Sequence, residues 1–394
     1  MYKFNLIAPG TVYLHGEHIM GYNKTCVAAS LNQRTWLSFH SLPPSQSYQT
    51  GFIKIHFINI KLNIEIPLHT ILFFFPTNLT RTSTDTEFHE KIIDFVNIML
   101  TKCSGTFNPR IEEHQASLQA FVYLLVDIRR KEQINLTSFT VKVWTEVLMR
   151  YGLGSSASFV VCLAACFTHW SQLQKGSSLR ELDKEKIVEY GSKCDSVIFD
   201  SPNTIASNVS VYGSMIIFDG VLQNQAFTHM PVLKILLIFS KVSARSLPMH
   251  NMYVHNICKQ NMQRYMIKHL DSFADLLFNS IDAISKKCIE VFRETEKLHR
   301  KYLNNPGIKK LIQMNQALLK TLSASSPNID FLCNIAWKHN LMGKLTGKDK
   351  GKFMFILLPS DIKVEVITAI IEEFKKHALF TVITDLFSDG VRLE

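Results

Sequence analysis

The sequence predicts an α+β fold in two halves, on three observations. Strand-like stretches of alternating or β-branched residues are interleaved with amphipathic helical stretches, without the regular βαβ period of a doubly wound sheet. One strand-like stretch ends at Asp219-Gly220 and another begins at Val232, so a boundary falls near residues 222–232 and divides the chain into domains 1–226 and 227–394. Finally, 394 residues at 46% hydrophobic composition are enough to bury more than one core.

Taken in order, alternation and β-branching predict strands over Asn5–His15, Cys26–Phe39 and Phe52–Ile66, with turns at Pro9-Gly10 and Gly21 to Asn23. Residues 76–118 are more polar. Ser117–Arg129 then reads as an amphipathic helix that turns Leu118, Phe121, Val122 and Leu125 inward. A strand over Phe139–Val147 runs into Gly152-Leu153-Gly154-Ser155-Ser156-Ala157-Ser158, and Phe159–Trp170 follows as a buried helix. Residues 181–194 predict a helix and Val209–Phe218 a strand. The second half predicts a strand over Val232–Phe239, long helices over 254–302 and 306–323, a strand over Lys352–Leu358 and a helix over Ile362–His377.

Composition removes several classes of function. The longest uncharged apolar runs, Ile71–Phe75, Ser158–Phe167 and Ile235–Phe239, fall well short of the ~20 residues of a membrane helix. Met1 to Gly10 has neither a secretory nor a transit-peptide pattern, so a cytoplasmic protein without a membrane partner is expected. Eight cysteines without a CxxC pair argue against a disulfide framework or zinc ribbon, and Cys162 and Cys166 read as core. The Asn-x-Ser/Thr sequons at Asn23, Asn78, Asn135 and Asn208 are then incidental. A net charge of +10 is dispersed and suits anionic small molecules. No RNP-type run, zinc finger or basic stripe accompanies it, so no nucleic-acid partner is expected.

The most informative local sequence is Gly152 to Ser158. Two glycines allow a tight backbone turn, and the helix start behind them offers unpaired N–H groups to an anion. Ser155 and Ser156 add hydroxyls that could reach a phosphate oxygen or a metal. The plain alternative is a strand-to-helix turn with serine as its cap. A dinucleotide fingerprint, Gly152-x-Gly154-x-x-Ala157, would need a second strand ending in an acidic residue ~20 positions on, and 168–180 supplies neither. Gly347-Lys-Asp-Lys-Gly351-Lys352 is one residue short of a Walker loop and is followed by Phe353.

With that turn in place, Ala8-Pro9-Gly10-Thr11-Val12-Tyr13-Leu14-His15-Gly16-Glu17-His18 resembles the first motif of the GHMP small-molecule kinases, in particular the mevalonate kinases. Leu31-Asn32-Gln33-Arg34-Thr35, the Gly152–Ala157 turn, Ser280 to Ser285, Met314-Asn315-Gln316 and Lys344-Leu345-Thr346-Gly347 resemble further words of that family, in order along the chain. The resemblance implies the GHMP kinase fold: an N-terminal ATP-binding α/β domain of the ribosomal small-subunit type, with a left-handed βαβ unit, and a ferredoxin-like C-terminal domain, with the site between them. It also implies transfer of the γ-phosphoryl of ATP to the 5-hydroxyl of mevalonate with Mg2+, and leaves a homodimer open. Carried over residue by residue, it puts the metal at Ser156 and Asp195, the latter an Asp where the family usually has Glu. Substrate contacts fall at Glu17, His18 and Ser246. Nucleotide contacts fall at Asn59, Thr145, Arg150, Tyr151, Gly152, Leu153, Gly154, Ser155 and Ser156.

Departures from the family pattern bear on the chemistry. Thr11 stands where the family has its catalytic Lys, and Ala206 where it has its catalytic Asp. Leu148-Met149-Arg150 replaces a Pro-Pro-Gly lead into the turn, and Lys348-Asp349-Lys350-Gly351-Lys352 replaces a glycine-rich stretch. Asp200 is the nearest acid that could replace Ala206. Two readings of different class result: a working kinase, slow or not, in which a metal with Arg150, Lys348 or Lys350 could retain some rate, or a catalytically impaired or dead homologue that binds a nucleotide or a partner.

Overall fold

The computed structural model describes all residues except 43–50, 77–84, 150, 177–180, 201–203, 220–223, 228–231, 241–269, 299–305, 323, 348–352 and 360. Thirteen strands are found among the described residues: β1 (Lys3–His15), β2 (Cys26–Ser41), β3 (Phe52–Phe57), β4 (Leu62–Pro67), β5 (Ser104–Gly105), β6 (Phe139–Thr145), β7 (Met215–Phe218), β8 (Asn224–Phe227), β9 (Leu233–Ser240), β10 (Gly343–Thr346), β11 (Phe353–Leu358), β12 (Ala378–Leu386) and β13 (Arg392–Leu393). The α-helices are α1 (Leu68–Phe74), α2 (Asp85–Asp94), α3 (Glu112–Glu132), α4 (Ser155–Gln174), α5 (Lys184–Phe199), α6 (Ile205–Tyr212), α7 (Leu270–Leu298), α8 (Pro306–Thr321), α9 (Pro327–Lys338) and α10 (Val364–Lys375). The α+β class follows from this mixture.

The strands run in the order β10-β11-β9-β12-β2-β6-β3-β4-β5, with β1, β13, β7 and β8 attached beside β2. Among the described residues β12 meets β2 at Leu386 opposite Leu31. The N-terminal half packs β1, β2, β6, β3 and β4 against α3, α4 and α5, with Phe39, Phe121, Phe139, Phe167 and Trp170 fully buried. Helix α4 is apolar on nearly every face, as a helix sandwiched between a sheet and other helices must be. The C-terminal half has its own core under α7, α8 and α9. A third cluster joins Val12, Leu31 and Leu153 of the N-terminal half to Leu237, Phe353 and Phe355. The chain end returns to the first half, because β13 pairs with β1 and Val391 packs in the first core.

Three differences from the sequence reading have physical causes. The single strand-like stretch 52–66 is two strands, because Lys61 takes a left-handed turn (φ 55°) and folds the chain back. Val209–Phe218 is not one strand: Ile205–Tyr212 is helix α6, and only Met215–Phe218 extends after Gly213 and Ser214, both at positive φ. The β-branched Ile205, Val209 and Val211 gain more from burial against the site than they lose in helix propensity. Strand β12 and helix α9 had no counterpart in the sequence reading; β12 has charged and hydroxyl residues among its apolar ones, and its place beside β9 is a long-range pairing.

Candidate active site

The site forms where β1, the turn before α4, and β10 converge. Strand β1 has irregular register against β2 between Pro9 and Thr11 and again between Tyr13 and His15. Such bulges bend a strand and re-aim its side chains. Gly10 lies at the first; a Cβ there would come within 2.8 Å of the Leu153 carbonyl, so only glycine lets the turn approach this closely. Thr11 N–H donates to that carbonyl at 2.9 Å.

Gly154 caps α4 in the left-handed conformation (φ 73°), where a Cβ would also strike Thr11 at 2.8 Å. Among the described residues no side-chain hydrogen bond caps this helix start. The first-turn N–H groups and the half-buried Ser155 and Ser156 therefore lie at the positive end of a 20-residue helix, an arrangement suited to phosphate. Gly347, just after β10, closes the other side: a Cβ there would lie 3.3 Å from the Gly152 carbonyl. Three stretches far apart in sequence thus meet at one turn.

Leu153 turns its side chain into the shared core and leaves only its backbone at the turn. Tyr151 packs edge-on against Phe239 and Phe353, with ring centroids 4.7 and 5.5 Å away. Asn59 and Thr145 meet directly: the Asn59 amide donates to the Thr145 carbonyl and accepts from its N–H, both at 2.8 Å. Arg150 and Ser246, and the stretch 348–352, lie outside the described residues.

Thr11 and Ala206 are brought together. Thr11 Oγ1 donates to the Ala206 carbonyl at 3.4 Å, and Thr11 is wholly buried. The contact is neutral and adds no group that could take or give a proton near neutral pH.

Glu17 and His18 sit in the turn after β1, both nearly inaccessible, with His18 Nδ1 4.0 Å from Glu17 Oε1. Lys344 of β10 reaches Glu17 Oε1 at 2.8 Å, with the two side chains 0% and 1% exposed. Thr346 binds the Tyr13 backbone twice, donating from Oγ1 to the carbonyl at 3.0 Å and accepting from the N–H at 3.2 Å. Asn315 of α8 reaches His15 Nδ1 at 2.9 Å. Burial first, and the Lys344 ammonium second, push the His15 pKa down to about 3, so His15 is neutral and accepts this bond. Lys344 was legible only as part of a motif word; nothing in its spacing announced the ion pair.

Asp195, on the buried side of α5, lies near enough to Tyr13 to act on it. Burial, then Cys26, Asp195 and Glu17, hold the Tyr13 hydroxyl protonated to well above its usual range. As a donor set, the Ser156 hydroxyl and the Asp195 carboxylate suit a hard cation that keeps waters and phosphate oxygens as its other ligands. The described residues hold no group of three or more His, Cys, Asp and Glu side chains able to bind an ion alone.

Comparison with known proteins agrees with this geometry. The family described as GHMP kinases N terminal domain matches residues 120–212, which include the glycine turn, α4 and Asp195. Mevalonate kinase of Mus musculus is 30% identical over 378 residues, covering 92% of this chain and 88% of that protein. Mevalonate kinase of Bos taurus is 28% identical, covering 92% and 87%. The crystal structure of L. major mevalonate kinase in complex with R-mevalonate shares the fold, with a TM-score of 0.64 over 99% of this chain and 97% of that one at 14% identity. With its glycine turn, first motif and β10 assembled in one place, the chain belongs to the mevalonate kinase family.

Proposed function

We propose that the chain is an ATP-dependent kinase that phosphorylates mevalonate on its 5-hydroxyl, supplying an isoprenoid precursor. The observation that carries this reading is the uncapped α4 N-terminus, seated on Thr11 and against Gly347, with Glu17 and His18 on the same strand-turn unit. The helix start would hold the nucleotide phosphates, with Ser155 and Ser156 lending hydroxyls. Ser156 and Asp195 would hold Mg2+, which when bound neutralises phosphate charge. Glu17 and His18 would orient the acceptor alcohol.

Thr11 and Ala206 offer no base, so the rate would come from alignment of alcohol and phosphate. Phosphoryl transfer tolerates this because its loose transition state depends chiefly on positioning and electrostatics. Loss of a general base alone typically costs ~10²- to 10⁴-fold. The reading is therefore of a slow kinase. A cytoplasmic location and a homodimer complete the proposal; among the described residues no helix is long and apolar enough to cross a membrane.

The test is ADP release in a coupled assay with ATP, Mg2+ and R-mevalonate. Turnover that requires mevalonate supports the reading. ATP binding without any mevalonate-dependent turnover would favour a binding protein instead.

A further inference from the structure

Glu17 belongs to the N-terminal half, but the group that fixes its carboxylate comes from the C-terminal half. Lys344 Nζ donates to Glu17 Oε1 at 2.8 Å and to the Leu345 carbonyl at 2.6 Å, and lies 5.4 Å from the centre of the Phe355 ring. The ammonium is thereby held from three sides and wholly out of water. The second carboxylate oxygen, Glu17 Oε2, is buried and makes no hydrogen bond to any described residue.

That asymmetry is informative. A buried ion pair is a poor source of stability, because desolvating both charges offsets most of their attraction and an apolar pair of similar volume serves a fold at least as well. A buried carboxylate oxygen left without a donor adds a further cost. Both costs find a use if a hydroxyl donor arrives with the substrate.

We propose that Lys344 is a positioning residue: it holds Glu17 by one oxygen so that the other accepts a hydrogen bond from a hydroxyl of the acceptor substrate. The inference rests on the functional reading above and adds to it a residue that touches no substrate. It also makes substrate recognition conditional on correct seating of the two halves, since β10 and the first motif must meet for Glu17 to be aimed. Thr346, two residues on, fixes that seating through its paired bonds to Tyr13.

The experiment compares wild type, Lys344→Met, Glu17→Gln and the double variant, by calorimetric binding of R-mevalonate and by steady-state kinetics. Lys344→Met should weaken mevalonate binding and raise its KM by ~10-fold or more while the KM for ATP stays within ~2-fold, a split that general loosening of the fold would not give. Because Lys344 acts only through Glu17, the double variant should bind mevalonate within ~2-fold of Glu17→Gln alone. Mevalonate affinity in Lys344→Met within ~2-fold of wild type, or losses that multiply in the double variant, would overturn the proposal. Should Lys344→Met fail to fold, Lys344→Arg keeps the buried charge but presents a fork that can take both Glu17 oxygens; it should raise the KM for mevalonate with the KM for ATP within ~2-fold, and a mevalonate KM within ~2-fold of wild type would overturn the proposal. Wild type that binds no mevalonate would end the functional reading and this inference with it; wild-type binding that is indifferent to Lys344 would end this inference alone.

Discussion

Thr11 and Glu17 lie six residues apart on β1 and the turn after it, both buried, and the rest of the molecule meets them in opposite ways. Thr11 makes a long, neutral hydrogen bond to Ala206 within the N-terminal half. Glu17 makes a short, fully buried ion pair with Lys344 across the two halves. Against the pattern the family resemblance implies, both charged members are missing at the first contact and both are present at the second. Low dielectric explains why such members come and go together: half of a buried pair is an uncompensated charge, which costs far more than either the whole pair or none of it.

This contrast can be broken most forcefully at the charged contact. Glu17→Leu strands the Lys344 ammonium in an apolar site and should destabilise the protein by ~3–5 kcal/mol. Glu17→Leu with Lys344→Met should regain most of that loss in urea denaturation without regaining activity. A double variant as unstable as the single one would show that the pair does not act as a unit.

The neutral contact is tested in the opposite direction. Thr11→Lys alone places a charge beside the Ala206 carbonyl in a buried site and should destabilise; adding Ala206→Asp supplies the opposite charge. If the rest of the site is intact, the double replacement should raise mevalonate-dependent turnover by ~10² or more, about 3 kcal/mol of transition-state stabilisation. Wild-type turnover already at ~1–100 s⁻¹, unchanged in the variant, would mean that the missing pair is not needed.

The glycine turn, the first motif and the Lys344-Leu345-Thr346-Gly347 word were legible because their residue types are tied to local geometry: positive φ at Gly152 and Gly154, and a helix that starts on a glycine, whose Cβ-less N-cap has no side chain to cap it. The α+β class was legible from periodicity. What escaped the sequence reading was set by long-range packing. Ile205–Tyr212 is as apolar and β-branched as a strand, and it becomes a helix because Ser210 hydroxyl donates to the Pro9 carbonyl and its apolar residues pack beneath β1. The Lys344–Glu17 pair joins residues 327 apart in sequence, and no local pattern registers a partner at that distance.

Burial, and after it the nearby Lys344 ammonium, makes the charged side of the comparison sensitive to acid. His15 is held neutral in the folded state, with a pKa of about 3 against 6.5 in an unfolded chain. Below pH 6.5 the unfolded chain therefore binds a proton that the folded protein refuses, so stability is fully present above that pH and is lost as the pH falls toward 3. This one group contributes a slope approaching ~1.4 kcal/mol per pH unit in that window. Urea denaturation at pH 7, 6 and 5 should show the loss, and His15→Gln should flatten it. An unchanged slope in His15→Gln would assign the acid sensitivity to other groups.

The smallest effect belongs to a neutral contact at the exposed rim of the N-terminal half. Asn59 clasps the Thr145 peptide through two 2.8 Å bonds, and both groups remain reachable by water. Solvent can replace both bonds, so Asn59→Ala should cost only about 0.5–1 kcal/mol of stability, less than any change at the buried pair. The clasp matters more for placement. Thr145 ends β6 and its Oγ1 accepts from the Val147 N–H at 3.0 Å, while Val147 packs in the core shared by Leu153 of the glycine turn. If the glycine turn holds the nucleotide and Glu17 the acceptor, as proposed, releasing the clasp frees the stretch leading into that turn, so the KM for ATP should rise by ~3- to 10-fold while the KM for mevalonate stays within ~2-fold. That split is the mirror image of the one expected for Lys344→Met. If both KM values moved together, the two ends of the site would be mechanically coupled, and the proposed separation of a nucleotide end from an acceptor end would fail.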